Sequence, residues 1–241
     1  KEISMNSLLT RYQDLSDLHV AYCENGSGPA LLLLHGNSES KKLFTAYQTE
    51  HFRDYHTFAL DSRGHGQSRS NDTEYTIPQF AQDVIRFCAA QGIERCHLVG
   101  YSDGGNIALL LAKHAPQLFD RIVAISPNYL ASGTDEETLR LFTRLSKLWK
   151  FLRKLGFPTQ KYVMRFDLML NDIGITADEL RTIQTGMKIL YAEEEMIKPD
   201  HIREIAELVP DAELEMVPGC THMNILQHPR TVAAIREYLE K

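Results

Sequence analysis

At 241 residues the chain is long enough to bury one sizeable core and to carry one inserted element. Apolar residues make up 43% and charged residues 24%, which excludes a disordered chain, and a net charge of −6 excludes a general nucleic-acid binder whose surface must attract phosphate. No apolar run approaches the length needed to cross a bilayer, and Cys23, Cys88, Cys96 and Cys220 show neither CxxC spacing nor the density of a disulfide framework.

In chain order, short apolar runs alternate with helical patterns. The runs Leu18–Cys23, Ala30–His35 and Tyr55–Asp61 read as strands, with a helix expected over Ser40–His51 between the last two. A helix over Ile77–Gln91 then precedes a strand at His97–Tyr101, a helix over Gly105–Ala115 and a strand at Arg121–Ser126. Residues 130–187 break the rhythm with helical patterns and no convincing strand, which predicts an inserted helical cap over one edge of the sheet. The alternation resumes with a strand at Lys188–Ala192, a helix at Pro199–Val209, a strand at Ala212–Val217 and a helix at Pro229–Leu239. Continuous apolar strands separated by helices predict an α/β architecture, its mostly parallel sheet covered on both faces. The core is expected over residues 1–129 and 188–241. Free thiols, and the lack near Lys1 of a basic, apolar and small-residue leader pattern, point to the cytoplasm. The start at Lys1 in place of Met leaves a removed leader open.

Chemistry concentrates at the predicted strand ends. Gly100-Tyr101-Ser102-Asp103-Gly104 follows one strand and opens a helix, the context of a nucleophile elbow. The turn is so sharp that side chains two positions either side of the serine would collide, hence the glycines. Ser102 is the candidate nucleophile, and a serine hydroxyl needs an adjacent base. Of ten histidines, His222 lies after the last predicted strand, at the same sheet edge as Ser102 and later in the chain, and is the candidate general base. The acid that orients it is sought at the end of Lys188–Ala192, where Glu193, Glu194 and Glu195 stand together; Glu195 is favoured and the other two remain alternatives. The backbone N–H groups of Asn37, after His35-Gly36, and of Asp103 are the expected oxyanion donors.

With these pieces in place, the chain resembles the α/β-hydrolase superfamily, in its small esterase-like branch with a helical cap. The resemblance is carried by Leu33-Leu34-His35-Gly36-Asn37, Asp61-Ser62-Arg63-Gly64-His65-Gly66-Gln67-Ser68, Gly100–Gly105 and Pro218-Gly219-Cys220-Thr221-His222. It implies an eight-stranded, mostly parallel sheet, a Ser–acid–His triad and no cofactor or metal. Asp61 and His65 take structural roles in it. Glu195 stands where the family commonly has aspartate, Ala192 where it has glycine, and Thr221 where glycine is usual. The implied reaction is cleavage of an ester-type bond of a small-molecule acyl substrate. The same triad also serves carbon–carbon, thioester, lactone and perhydrolase chemistry, and a slow-turnover ligand sensor on the same fold is a reading from another class.

From Arg140 to Arg165 stand eight basic residues (Arg140, Arg144, Lys147, Lys150, Arg153, Lys154, Lys161, Arg165) and no acidic ones. Leu141, Leu145, Leu148, Leu152 and Leu155 recur at helical spacing, widened by Phe142 and Trp149. The plainer expectation packs those leucines onto the domain with the basic face solvated. The sharper one has that face attract anionic acyl substrates or an anionic lipid surface.

Overall fold

The computed structural model describes residues 8–241. Nine strands form one sheet: β1 (Arg11–Leu15), β2 (Leu18–Asn25), β3 (Ala30–Leu34), β4 (His56–Leu60), β5 (Arg69–Ser70), β6 (Cys96–Tyr101), β7 (Phe119–Ile125), β8 (Met187–Glu194) and β9 (Glu213–Thr221). Eight run in the spatial order β1-β2-β4-β3-β6-β7-β8-β9, and the ninth, two-residue β5, pairs with β2 off that path. Pairs from β4 to β9 are parallel, while β2 runs antiparallel to β1, β4 and β5.

The run Leu31–Leu34 shows why these residues form a central strand. All four side chains are buried, because successive side chains point to opposite faces and both faces are covered. Leu32 and Leu34 enter the cluster with residues of α1 (Ile77–Ala90), α2 (Asp103–His114) and α6 (Pro199–Leu208). Leu31 and Leu33 enter the other, with Phe44, Phe52 and residues of α7 (Pro229–Leu239).

The helix expected between β3 and β4 is corrected. The segment Ser40–His51 is not a regular helix: a tight turn at Lys41–Phe44 gives way to a wide one, closed by the Phe52 N–H donating to the Tyr47 carbonyl five residues back. Side chains drawn inward explain the interruption. The Lys41 ammonium binds the Asp61 carboxylate at 2.7 Å, and the buried Gln48 amide donates to the Cys23 carbonyl at 3.0 Å. The sequence also did not announce β1, whose Arg-Tyr-Gln-Asp-Leu run buries only Leu15 and stands at the sheet edge.

Between β7 and β8 the chain forms α3 (Glu136–Lys154), α4 (Gln160–Met169) and α5 (Ala177–Leu180), with no strand among the described residues. Asp135 starts α3 by accepting from the N–H groups of Glu137 and Thr138 at 2.9 and 3.0 Å. One flank of α3 packs on α4: Trp149 stacks on Tyr162 with centroids 4.6 Å apart, Phe142 meets Phe166 edge-on, and Lys150 pairs with Asp167 at 2.7 Å. The leucine stripe divides. Leu145 and Leu152 are half-buried, whereas Leu141, Leu148 and Leu155 stay exposed, so the expectation that the stripe as a whole packs onto the domain does not hold.

Candidate active site

Ser102 caps the N-terminus of α2 with φ 54° and ψ −116°, a strained backbone for a residue bearing a side chain. It is held there by its own N–H, which donates to the Ile125 carbonyl at 2.8 Å, and by its carbonyl, which accepts from the Asn106 N–H at 2.9 Å. The flanking glycines are required by space. A Cβ on Gly100 would lie 2.1 Å from the Gly104 carbonyl oxygen, and one on Gly104 would lie 2.1 Å from that of Leu34. Strand β6, helix α2 and strand β3 therefore meet in backbone contact, and the hydroxyl projects from the C-terminal edge of the sheet.

His222, buried, follows β9 at the same edge, its Nε2 3.3 Å from Ser102 Oγ. Its Nδ1 is hydrogen-bonded to Glu195 Oε1. The fully buried Glu195 carboxylate accepts in addition from the Ser126 hydroxyl at 2.5 Å and the Met196 N–H at 2.9 Å. Burial pushes this carboxyl up, but the His222 hydrogen bond and charge, with the Ser126 bond, outweigh it and hold the group below its ordinary value. As a carboxylate, Glu195 accepts the Nδ1 proton, which leaves the Nε2 lone pair facing Ser102. The other two glutamates go elsewhere. Glu193 accepts from the Gly219 N–H at 2.7 Å, and Glu194 offers its backbone carbonyl to the His222 N–H at 2.8 Å while its side chain is exposed.

On the far side of Ser102 lies the His35-Gly36-Asn37 turn. A Cβ on Gly36 would stand 3.0 Å from Ser102 Cβ, so the turn passes directly over Ser102. Among the described residues, the N–H groups of Asn37 and Asp103 donate to no protein acceptor. The Asn37 side-chain amide donates to Asp103 Oδ2 at 3.0 Å and to the Arg165 carbonyl at 3.1 Å, joining the turn both to α2 and to α4. Burial pushes the Asp103 carboxyl up to about 6, against the lowering effects of the Asn37 bond and of His222.

Other residues singled out by sequence sit beneath the site. Asp61 accepts from the Lys41 ammonium and from the Lys41 and Gln67 N–H groups, which pins the loop after β4. His65 is buried, donates Nδ1–H to the Arg63 carbonyl at 2.9 Å, and is pushed down to about 2 by burial with help from His35 and Arg165. His35 donates to the Gly36 carbonyl and accepts from the Ser62 N–H. Both rings are structural and neutral.

Sequence reasoning missed two partners of the central trio. Ser126, at the end of β7 with φ 51°, donates to Glu195, and the Tyr101 hydroxyl donates to the His222 carbonyl at 2.8 Å. The position of Ser126 at the end of a predicted strand neighbouring the acid's strand was the available signal. A narrow cleft runs from Ser102 and Asp103 to Phe142 of α3 and Leu168 and Met169 of α4. Among the described residues no cluster of His, Cys, Asp or Glu is arranged to hold a metal ion.

Residues 29–163 match the family described as alpha/beta hydrolase fold. A fluoroacetate dehalogenase from a Burkholderia species is 30% identical over 151 residues, 60% of this chain and 49% of that protein. An sn-1-specific diacylglycerol lipase from Xenopus tropicalis is 34% identical over 122 residues, 50% of this chain and 37% of that protein. The chain spans less than half the length of the curated relatives it matches. A solved hydrolase from Pseudomonas aeruginosa PA01 superposes with a TM-score of 0.79 at 20% identity, covering 98% of this chain and 100% of that one, a likeness of fold.

Proposed function

Because the chain belongs to the α/β-hydrolase fold family and enzymes that hydrolyse are among its relatives, we propose that it is a serine hydrolase that cleaves an ester-type bond through an acyl-enzyme. The observation that carries this reading is the unbroken line Ser102 Oγ, His222, Glu195, with the acid buried and ionised and the base oriented by it.

The chemistry follows from that line. His222 Nε2 takes the Ser102 proton as the oxygen attacks the substrate carbonyl. The resulting oxyanion is met by the N–H groups of Asn37 and Asp103, the second of which opens a helix whose dipole favours negative charge. The imidazolium, stabilised by Glu195, then gives its proton to the departing alkoxide. Water, deprotonated in turn by Nε2, attacks the acyl-enzyme and releases the acid and Ser102. Each bond broken at the carbonyl is matched by one formed, and no external reductant or oxidant enters.

The reaction named for the dehalogenase relative does not carry over. Displacing halide from carbon through an ester intermediate calls for a carboxylate at the elbow, where this chain has Ser102.

Ser102→Ala is expected to abolish labelling by a fluorophosphonate probe and to lower hydrolysis of a short p-nitrophenyl ester by about a thousandfold or more. Labelling retained in that variant overturns the assignment of the nucleophile.

A further inference from the structure

Helix α3 turns one flank to α4 and the other to solvent, and the solvent flank is unusual for a surface helix. From Arg140 to Lys154 the helix carries six basic residues and no acidic one. Lys150 and Arg153 reach toward Asp167 and Gln160, and Arg140 stands 3.9 Å from Glu136, but Arg144, Lys147 and Lys154 have no ion-pair partner among the described residues. Interleaved with them are Leu141, Leu148, Phe151 and Leu155, followed past the helix end by Phe157, each 46–59% exposed. At 3.6 residues per turn, Leu141, Leu148 and Leu155 fall on one line, and Phe151 with the unpaired cations continues it through an arc of about 140°. The flank extends about 21 Å along the helix.

We propose that this flank docks the protein on an anionic lipid surface. Among the described residues nothing covers these apolar side chains, and the cations gather positive charge around them. Anionic headgroups neutralise the cations, while the boundary between headgroups and acyl chains takes up the leucine and phenylalanine side chains, so the two needs are met together. A second copy of the chain fits less well, because a two-fold contact of this face with itself sets Arg144, Lys147 and Lys154 against their own images. No described helix is long and apolar enough to cross a membrane, so the association is along the surface. None of the docking side chains lines the cleft at Ser102, so the inference stands apart from the catalytic reading.

The test is co-sedimentation of the full chain with vesicles of phosphatidylcholine alone and of phosphatidylcholine containing one-third phosphatidylglycerol. Binding to the anionic vesicles is expected to be about tenfold or more stronger than to the neutral ones and to fall as ionic strength rises. Leu148→Glu with Phe151→Glu should lower it about tenfold or more, and Arg144→Gln, Lys147→Gln and Lys154→Gln together should remove the preference for anionic lipid. Both sets sit on exposed positions, and retention of the far-UV dichroism spectrum and of hydrolysis of a short soluble ester shows that the fold and the site are intact. Equal binding to the two vesicle types, or binding unchanged in both variants, overturns the proposal. So does a dimer, seen by light scattering, that Leu148→Glu dissociates in a protein that does not bind vesicles. An inactive protein that still binds anionic vesicles leaves this inference standing and removes only the catalytic one.

Discussion

Asp103 joins two features in one residue. Its backbone N–H faces the proposed oxyanion, while its carboxyl is buried beside Asn37 and pushed up to about 6 from an ordinary 3.8. A carboxyl raised in the folded state favours folding while neutral and opposes it once ionised. The penalty is therefore absent below about pH 4, grows between about 4 and 6, and is complete above 6. Asp103→Asn keeps the contact with Asn37 and removes the charge, so it should stabilise the protein by on the order of 2–3 kcal/mol at pH 8 and by almost nothing at pH 4. Urea titrations at the two pH values measure this, and an equal gain at both contradicts the assignment of the charge. The choice of Glu195 among three adjacent glutamates belongs to the same scale. Sequence presents three identical carboxylates, and what separates them is which way each leaves the end of β8. Glu193 turns to the Gly219 amide, Glu194 to solvent and Glu195 inward to His222. The pairing of β8 with β9 shifts register between Ala192 and Glu194, a backbone event that no side-chain pattern encodes.

Among elements, the elbow is where sequence was most informative, because its glycines answer to a contact between backbones. Adding a methyl at Gly104 drives it into the Leu34 carbonyl, an atom fixed in the middle of the sheet, so α2 and β3 must part. Gly104→Ala should cost about 2–4 kcal/mol and lower ester hydrolysis in parallel, since the same shift moves Ser102. Denaturant midpoints and initial rates measured on one preparation check the pairing of the two losses. Central strands such as β3 were equally legible, because burial on both faces demands an unbroken apolar run. Strand β1 was not, because an edge strand with one anchored residue, Leu15, has no such demand. The Ser40–His51 segment failed in the opposite sense. Its spacing is helical, but the bonds of Lys41 to Asp61 and of Gln48 to β2 and β4 set its path instead. Tertiary contacts of that kind are invisible to a local pattern.

For the molecule as a whole, Arg63 joins parts that are distant in sequence. Its fully buried guanidinium binds Asp17 between β1 and β2 at 2.8 Å, Asp72 after β5 at 2.7 Å, and Asp83 of α1 with two bonds of 2.7 and 2.8 Å. Arg63→Met removes one charge and strands the carboxylates around it, for which a loss of about 3–5 kcal/mol is expected. The bonds from Arg86 and Arg63 hold Asp17 well below the usual carboxylate range. Burial pushes Asp72 up, but the Arg63 bond and charge, with the Gln79 side-chain bond, outweigh it and hold Asp72 lowered as well. Carboxyls lowered on folding contribute stability above their unfolded value near 4 and lose it as pH falls through the folded one. The acid limb of the stability curve should therefore be shallower in Arg63→Met than in the parent, though not flat, because Arg86 still holds Asp17. Thermal melts between pH 2 and 5 read the slope, and identical limbs would remove Arg63 as its cause.

His222 is moored at three points: its N–H to Glu194, its carbonyl to Tyr101 and its ring to Glu195. An imidazole fastened to β6 and β8 in this way is held against stepping aside for an incoming molecule. Accommodation to differently shaped guests then falls to the opposite bank of the cleft, where Phe142, Leu168 and Met169 come from the inserted helices. On the proposed reading, appetite and reaction are thereby housed in different parts of the chain, so redrawing the helices should change what is accepted while the strand ends stay as they are.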